Sequence, residues 1–235
     1  MADVPSIALT DVHGFYDDSH VLHGLSLEVA RGEAVSIIGR NGAGKTTTMR
    51  AIMGLLDKRS GSIRVKGQEV IAAPPERIAR LGIGYVPEER GIYASLDVTD
   101  NLMLPPRLNN NGTSLEDIYK LFPNLLERRH SQGTRLSGGE QQMLAFARVL
   151  RTGADLFLLD EPTEGLAPVI VQQICEVIVG MKAKGNTIVL VEQNFHVASL
   201  IADRHYIMEH GRIIDCIGRA ELTTKADRIT AALGI

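Results

Sequence analysis

Residues 34 to 48 read AVSIIGRNGAGKTTT, and no other stretch restricts the fold so strongly. An apolar run enters a loop with glycine at 39, 42 and 44, and a lysine and threonines follow. Residues 39 to 46 satisfy G-x-x-x-x-G-K-[ST], in which glycines let successive backbone amides close around phosphate at the start of a helix. Gly39, Gly42 and Gly44 give the tight turn, and Arg40, Asn41, Ala43 and Thr47 complete the candidate nucleotide-binding set. Lys45 places a point charge on the β- and γ-phosphates, and the Thr46 hydroxyl is a candidate ligand for Mg²⁺. The loop lies after a strand and before a helix, as phosphate binding requires.

The rest of the chain reads as the same class of fold. Strands are predicted over 7–12, 22–29, 34–38, 62–65, 83–86, 156–159 and 187–191, with two more near Tyr206 and Ile213. Helices are predicted over 45–56, 74–81, 137–151 and 168–182, and another from about Phe195. Apolar strands alternating with helices imply a mostly parallel sheet covered on both faces, and the β-rich start implies an antiparallel layer beside it. Between 87 and 134 strand signals vanish and short amphipathic helices take over, around Asn101, over 115–121 and at Leu125. The expectation is one domain over 1–235, with a core of 1–87 and 152–235 and an inserted helical subdomain at about 88–151.

A second acidic element, LFLLDE at 156–161, runs an apolar strand into Asp160 and Glu161. It delivers two carboxylates to the carboxyl edge of a parallel sheet, where such folds bind ligands. Asp160 is the candidate metal ligand, directly or through water, and Glu161 the candidate base for the attacking water. A net charge of −3 gives no general attraction to nucleic acid, and the absence of tryptophan argues against a stacking platform for single strands. Cys175 and Cys216 have no metal-ligand spacing and read as isolated thiols. MADVPSIALT lacks a basic stretch followed by an apolar run, so no secretory leader is expected, and no run of 18 apolar residues offers a membrane span.

Residues 136–142 read LSGGEQQ and open the long predicted helix. Ser137, Gly138 and Gly139, followed by Glu140, offer a hydroxyl and amides at a helix start, a second anion site. With this motif the chain resembles the ATP-binding subunits of ABC transporters along essentially its whole length. The resemblance implies a P-loop ABC-type nucleotide-binding domain that uses ATP and Mg²⁺. It implies that Tyr16 stacks on adenine. It also implies a head-to-tail pair of cassettes, in which each ATP lies between one subunit's Lys45 loop and the other's Ser137 segment.

Three positions depart from the family's usual pattern. Glu88 stands where glutamine enters the insert, Ala167 where aspartate follows the catalytic glutamate, and Gln193 where a switch histidine is usual. Glu88 joins Thr46 and Asp160 in the expected metal set, and Gln193 joins Glu161 and Lys45 in the catalytic set. Glutamine can hold a phosphate or a water but does not titrate as histidine does. His196, three residues on, reads as a surface histidine of the next helix.

The combination VPE, EGLAP and VEQN is similar to one ATPase subunit of the branched-chain (hydrophobic) amino acid importers and their urea-transporting relatives. This implies two membrane-spanning permease subunits and a second ABC ATPase, or a copy of this chain. A periplasmic solute-binding protein acts indirectly, and the site of action is the cytoplasmic face of the inner membrane. The alternatives are a urea or short-chain amide importer, or an ATP-gated regulatory cassette with little hydrolysis of its own. Ile92, Tyr93 and Leu96 are the candidate surface for a permease helix, and a short closing helix is expected at the C-terminus. Relatives in DNA repair or translation carry tandem cassettes or long coiled coils, which 235 residues cannot hold.

Overall fold

The computed structural model describes residues 4–222 together with 224, 225, 229 and 233. The chain runs β1 (Ile7–Tyr16), β2 (Ser19–Val29), β3 (Ala34–Ile38), α1 (Lys45–Met53), β4 (Lys58–Val65), β5 (Gln68–Glu69), α2 (Pro75–Ala79) and β6 (Ile83–Val86). Four helices follow: α3 (Val98–Met103), α4 (Leu115–Leu121), α5 (Pro123–Glu127) and α6 (Gly138–Thr152). Then come β7 (Leu156–Asp160), α7 (Pro168–Ala183), β8 (Thr187–Val191), α8 (Phe195–Ile201), β9 (Arg204–Glu209) and β10 (Arg212–Gly218). Most of the C-terminal segment expected to form a closing helix lies outside the described residues.

Two sheets form. One has the order β2-β1-β4-β5 and is antiparallel; the other has the order β10-β9-β3-β8-β7-β6. In the second, β9, β3, β8, β7 and β6 run parallel and only β10 is antiparallel, at the edge. The central strands are buried on both faces, so alternation cannot be read from their polarity and appears only in their packing. Leu156, Leu158, Val189 and Val191 face the antiparallel sheet and α1, joining Leu9, Leu25, Met49 and Ile52 in one core. Their neighbours Phe157, Leu159, Ile188 and Leu190 face the opposite way, onto α6 and α7, with Phe146, Ile174 and Ile178. Phe146 and Phe157 are almost wholly buried there. Truncating either to alanine costs about 3–5 kcal/mol.

Some boundaries differ from those read in the sequence, each for a local reason. Helix α1 stops at Met53 rather than 56 because Gly54 turns left-handed, at φ 74°, and returns its amide to Ala51 and Arg50 carbonyls. Strand β4 begins at Lys58 rather than 62 because the long β1 pairs with it as far as Phe15↔Lys58. Between β6 and β7 the described chain is helical and irregular, with one isolated bridge, Asp97↔Gln132.

Candidate nucleotide site

The site is built where α1 starts and where β7 and β8 end. Gly44 caps α1 at φ 108°, and Gly42 is also left-handed, at φ 78°. Gly39 has another constraint: a Cβ there would lie 2.3 Å from the Met208 carbonyl oxygen of β9. Lys45 is 4% exposed. Its ammonium donates to the Gly39 and Arg40 carbonyls at 3.0 and 3.2 Å and lies 3.4 Å from Glu161 Oε1.

Asp160 is fully buried at the end of β7. The Thr46 hydroxyl donates to its Oδ1 at 3.1 Å and the Tyr85 hydroxyl to its Oδ2 at 3.3 Å. Burial pushes the Asp160 carboxyl up to about 6, with the Thr46 bond opposing it and the Glu161 charge adding to it. The next residue, Glu161, sits at φ 47°, a left-handed conformation that costs a side-chain-bearing residue about 1–3 kcal/mol. Its amide still donates to the Val191 carbonyl at 2.9 Å, so the backbone extends the ladder while the side chain is turned into the cavity. Gln193 Nε2 donates to Glu161 Oε2 at 2.7 Å. Burial opposes the Glu161 charge, but bonds from Glu164 and Gln193 and the Lys45 ammonium hold its carboxyl below the usual range.

These groups surround a cavity of about 340 Å³. Asn41, Gly42, Gly44, Lys45, Thr46 and Thr47 line one side, and Glu88, Glu161, Glu164 and Gln193 the other. Arg40 and Ala43 line a neighbouring cavity with Met208 and His210. Tyr16 is not among the lining residues of either. It is half-buried at the end of β1, packed on the core, and its hydroxyl accepts from Arg50 Nη1 at 3.5 Å. The donor set suits the expected ligands: a buried ammonium and loop amides for phosphate, and hard oxygens of Thr46, Asp160 and Glu88 for magnesium.

The second motif stands apart from this cavity. Ser137 caps α6: its hydroxyl accepts from the Glu140 amide at 3.3 Å, and Glu140 Oε2 accepts from the Ser137 amide at 2.7 Å. The first amides of the helix, at Gly138 and Gly139, have no acceptor within it. None of these four residues lines the phosphate cavity.

Three residues of the site region were missed in the sequence. Glu164 reaches within 4.8 Å of Glu88 and Glu161, and its hydrogen bond with Glu161, then burial, pushes its carboxyl up to about 7. Its signal was its place in DEPTE, on the loop after the strand. Tyr85 reaches Asp160 from the neighbouring strand β6, a contact set by sheet order and invisible in sequence. Glu192 points inward: it is 2% exposed, and Oε1 accepts from the Thr163 hydroxyl at 2.7 Å and amide at 3.2 Å. So the strand tip that reads VEQN divides its polar residues three ways. Glu192 braces the Thr163 loop, Gln193 meets Glu161, and Asn194 caps α8 by accepting from the His196 and Val197 amides. His196 is exposed on α8. Ala167 is the N-cap of α7 without a side-chain bond, as the missing aspartate requires.

Beside Glu161 and Gln193 opens a larger groove of about 870 Å³ between α7 and α8, walled by Leu166, Val171, Val179 and Leu200. Cys175 lies in it as a free thiol.

The sequence profile of the family described as "ABC transporter" matches residues 22–164, more than half of the chain. The chain belongs to the ABC transporter family. It therefore carries an ABC ATPase domain, and the phosphate loop, β7 and the Ser137 segment are parts of one family architecture. The chain is 40% identical to the high-affinity branched-chain amino acid transport ATP-binding protein BraG of Pseudomonas aeruginosa, across 97% of this chain and 99% of that one. It is 33% identical to the lipopolysaccharide export system ATP-binding protein LptB of Escherichia coli K12, across 85% of each. A solved structure described as the ATP-binding subunit of an ABC transporter superposes with a TM-score of 0.81 at 27% identity, covering 97% of this chain and 99% of that one. Among the described residues no helix is long and apolar enough to cross a membrane.

Proposed function

We propose that this chain is the ATP-hydrolysing subunit of an importer for branched-chain or other hydrophobic amino acids. The observation that carries hydrolysis is the convergence of Lys45, Thr46, Glu161 and Gln193 on one cavity, with Asp160 bonded to Thr46 behind its wall. The cargo rests on likeness: 40% identity over nearly the full length of BraG outweighs 33% over 85% of LptB.

In this reading the loop amides and the Lys45 ammonium bind the β- and γ-phosphates, and Tyr16 serves the adenine end. Thr46, Asp160 and Glu88 would hold Mg²⁺, which neutralises phosphate charge when bound. Glu161, kept ionised, takes a proton from the attacking water, and Gln193 fixes the orientation of that carboxylate. The strained backbone at Glu161 serves this role, because it aims the base without a flexible loop.

Residues 88–151 act as a helical subdomain that meets the permease. Tyr93 is 49% exposed there, with the Arg148 guanidinium 5.1 Å from its ring centre, while Ile92 packs towards the core. Tyr93 is thus the anchor of the permease contact. The partners are two membrane-spanning permease subunits and a second ABC ATPase, with a solute-binding protein acting through the permease. The work is done at the cytoplasmic face of the inner membrane.

The competing role is an ATP-gated cassette whose partner does the hydrolysis, favoured by the uncapped Ala167 and by glutamine at 193. The two roles part on Glu161→Gln introduced in this chain alone, assayed as ATP turnover and labelled leucine uptake by the assembled transporter. A loss of about a hundredfold is expected for a catalytic base. An unchanged rate transfers hydrolysis to the partner cassette. Uptake of labelled urea instead of leucine would move the cargo to the urea branch.

A further inference from the structure

Three consecutive residues at the start of the segment after β6 reach three different parts of the molecule. Glu88 lines the phosphate cavity. Glu89 Oε1 accepts from Arg50 Nη2 at 2.9 Å, and Arg50 belongs to α1, the helix that carries the phosphate loop. Arg90 turns the other way: its Nη1 donates to Gln141 Oε1, on α6, at 3.1 Å. Its guanidinium also lies against the Ser137 segment, 3.3 Å from where a Cβ of Gly138 would stand.

Gln141 has a second task. Its Nε2 donates to the Gly133 and Leu136 carbonyls, both at 3.2 Å, and so ties the start of α6 to the chain leading into Ser137. Helix α6 grips the same loop again through Arg148, whose Nη1 donates to the Gly91 carbonyl. Arg90 itself holds φ 65°, a left-handed conformation that glycine would adopt without strain.

We propose that Arg90 is a positioning residue for the Ser137–Gly139 segment, fixing its distance from the phosphate loop of the same chain. The Arg50–Glu89 pair anchors the loop to α1, and the Arg90–Gln141 bond carries that anchor to the start of α6. The inference rests on the ATPase reading above. Its consequence is a split between binding and turnover, because phosphate contacts made by Lys45 and its loop do not pass through Arg90.

The test uses the assembled transporter with Arg90→Gly, Gln141→Ala and the double variant, and Ser137→Ala as control. Glycine fits φ 65°, so Arg90→Gly folds with an unchanged or higher melting temperature. ATP affinity is expected to stay within about twofold while kcat falls about tenfold. Arg90→Gly added to Gln141→Ala is expected to lower kcat no further, since its contact is already gone there, whereas Gln141→Ala alone also removes the bonds to Gly133 and Leu136. Arg90→Lys, which keeps a donor, restores part of the rate. A kcat for Arg90→Gly within about twofold of wild type, or losses that multiply in the double variant, overturns the inference. If Ser137→Ala is also silent, the ATPase reading of that segment fails; if Ser137→Ala is inactive and Arg90→Gly is not, only the role of Arg90 falls.

Discussion

The phosphate cavity and the Ser137 segment are both helix starts with glycine and a hydroxyl, yet the chain treats them in opposite ways. At the cavity, groups from the loop, β7 and β8 close on one another: Lys45 is 4% exposed and Asp160 fully buried. At α6, Ser137 is exposed and its bonds stay within its own helix start, to Glu140 and Gln141. A helix start is a ready anion site in either place. Only the first combines its own ammonium, Lys45, with carboxylates brought from the ends of other strands and loops. The difference teaches that one helix start is furnished with partners by the rest of the fold and the other is presented outward, the arrangement that the proposed pairing of cassettes needs.

The sharpest way to break that contrast is Lys45→Met. Loss of the buried ammonium is expected to weaken ATP binding by about a hundredfold, since charge-assisted contacts to phosphate are the strong ones. Titration calorimetry of the purified chain reads it, and an unchanged dissociation constant would show that the cavity is not the phosphate site. Ser137→Ala should give the complementary result in the assembled transporter. Affinity stays within about twofold, and turnover drops by on the order of tenfold or more.

Gln193→Ala tests the departure at the tip of β8. Turnover is expected to fall about three- to tenfold with little change in ATP affinity, because the loss is one hydrogen bond to the base. Equal turnover by the variant would leave the Gln193–Glu161 bond without a role in catalysis.

The smallest effect lies away from both half-sites, at His205 on β9. This histidine is wholly buried; Nδ1 is 2.7 Å from Ser36 Oγ, and Nε2 is buried without a hydrogen-bond partner among the described residues. Burial, with help from the Arg219 charge, lowers its pKa to about 4. The folded value lies below the unfolded one of about 6.5, so the unfolded chain takes up the proton first as the pH falls. Stability is therefore complete above about pH 6.5 and is lost progressively towards pH 4, on the order of 1–2 kcal/mol by pH 5. Because the raised Asp160 and Glu164 carboxyls act in the opposite direction, urea unfolding reads the effect as a difference: the stability advantage of the wild type over His205→Gln should shrink by that amount between pH 7.5 and 5.

How much of this was legible depended on distance along the chain. The phosphate loop, β3 and the strand ends at Asp160 and Gln193 were readable because each is a local pattern whose chemistry follows from adjacent residues. The extent of β1 and β4 was not, because strand length there is set by a partner far away in sequence. Glu192 and Gln193 look equivalent on paper. They separate only in the bend just past β8, where one side chain goes to Thr163 and the other to Glu161.

The sequence by itself determined that a glycine loop with a lysine and threonines opens a helix, that carboxylates end a buried strand, and that a serine-glycine motif opens α6. Local geometry suffices for each, since glycine spacing, a capping serine and an apolar run act within a few residues. Only the tertiary structure decided which acids share the cavity, that Glu164 joins them, that Tyr85 holds Asp160, and that Arg90 lies on the Ser137 segment. Those contacts arise from sheet order and from the way the helical segment folds back on the core. Apart from Glu164, which follows Glu161 by three residues, they join residues tens of positions apart, and no local pattern encodes them.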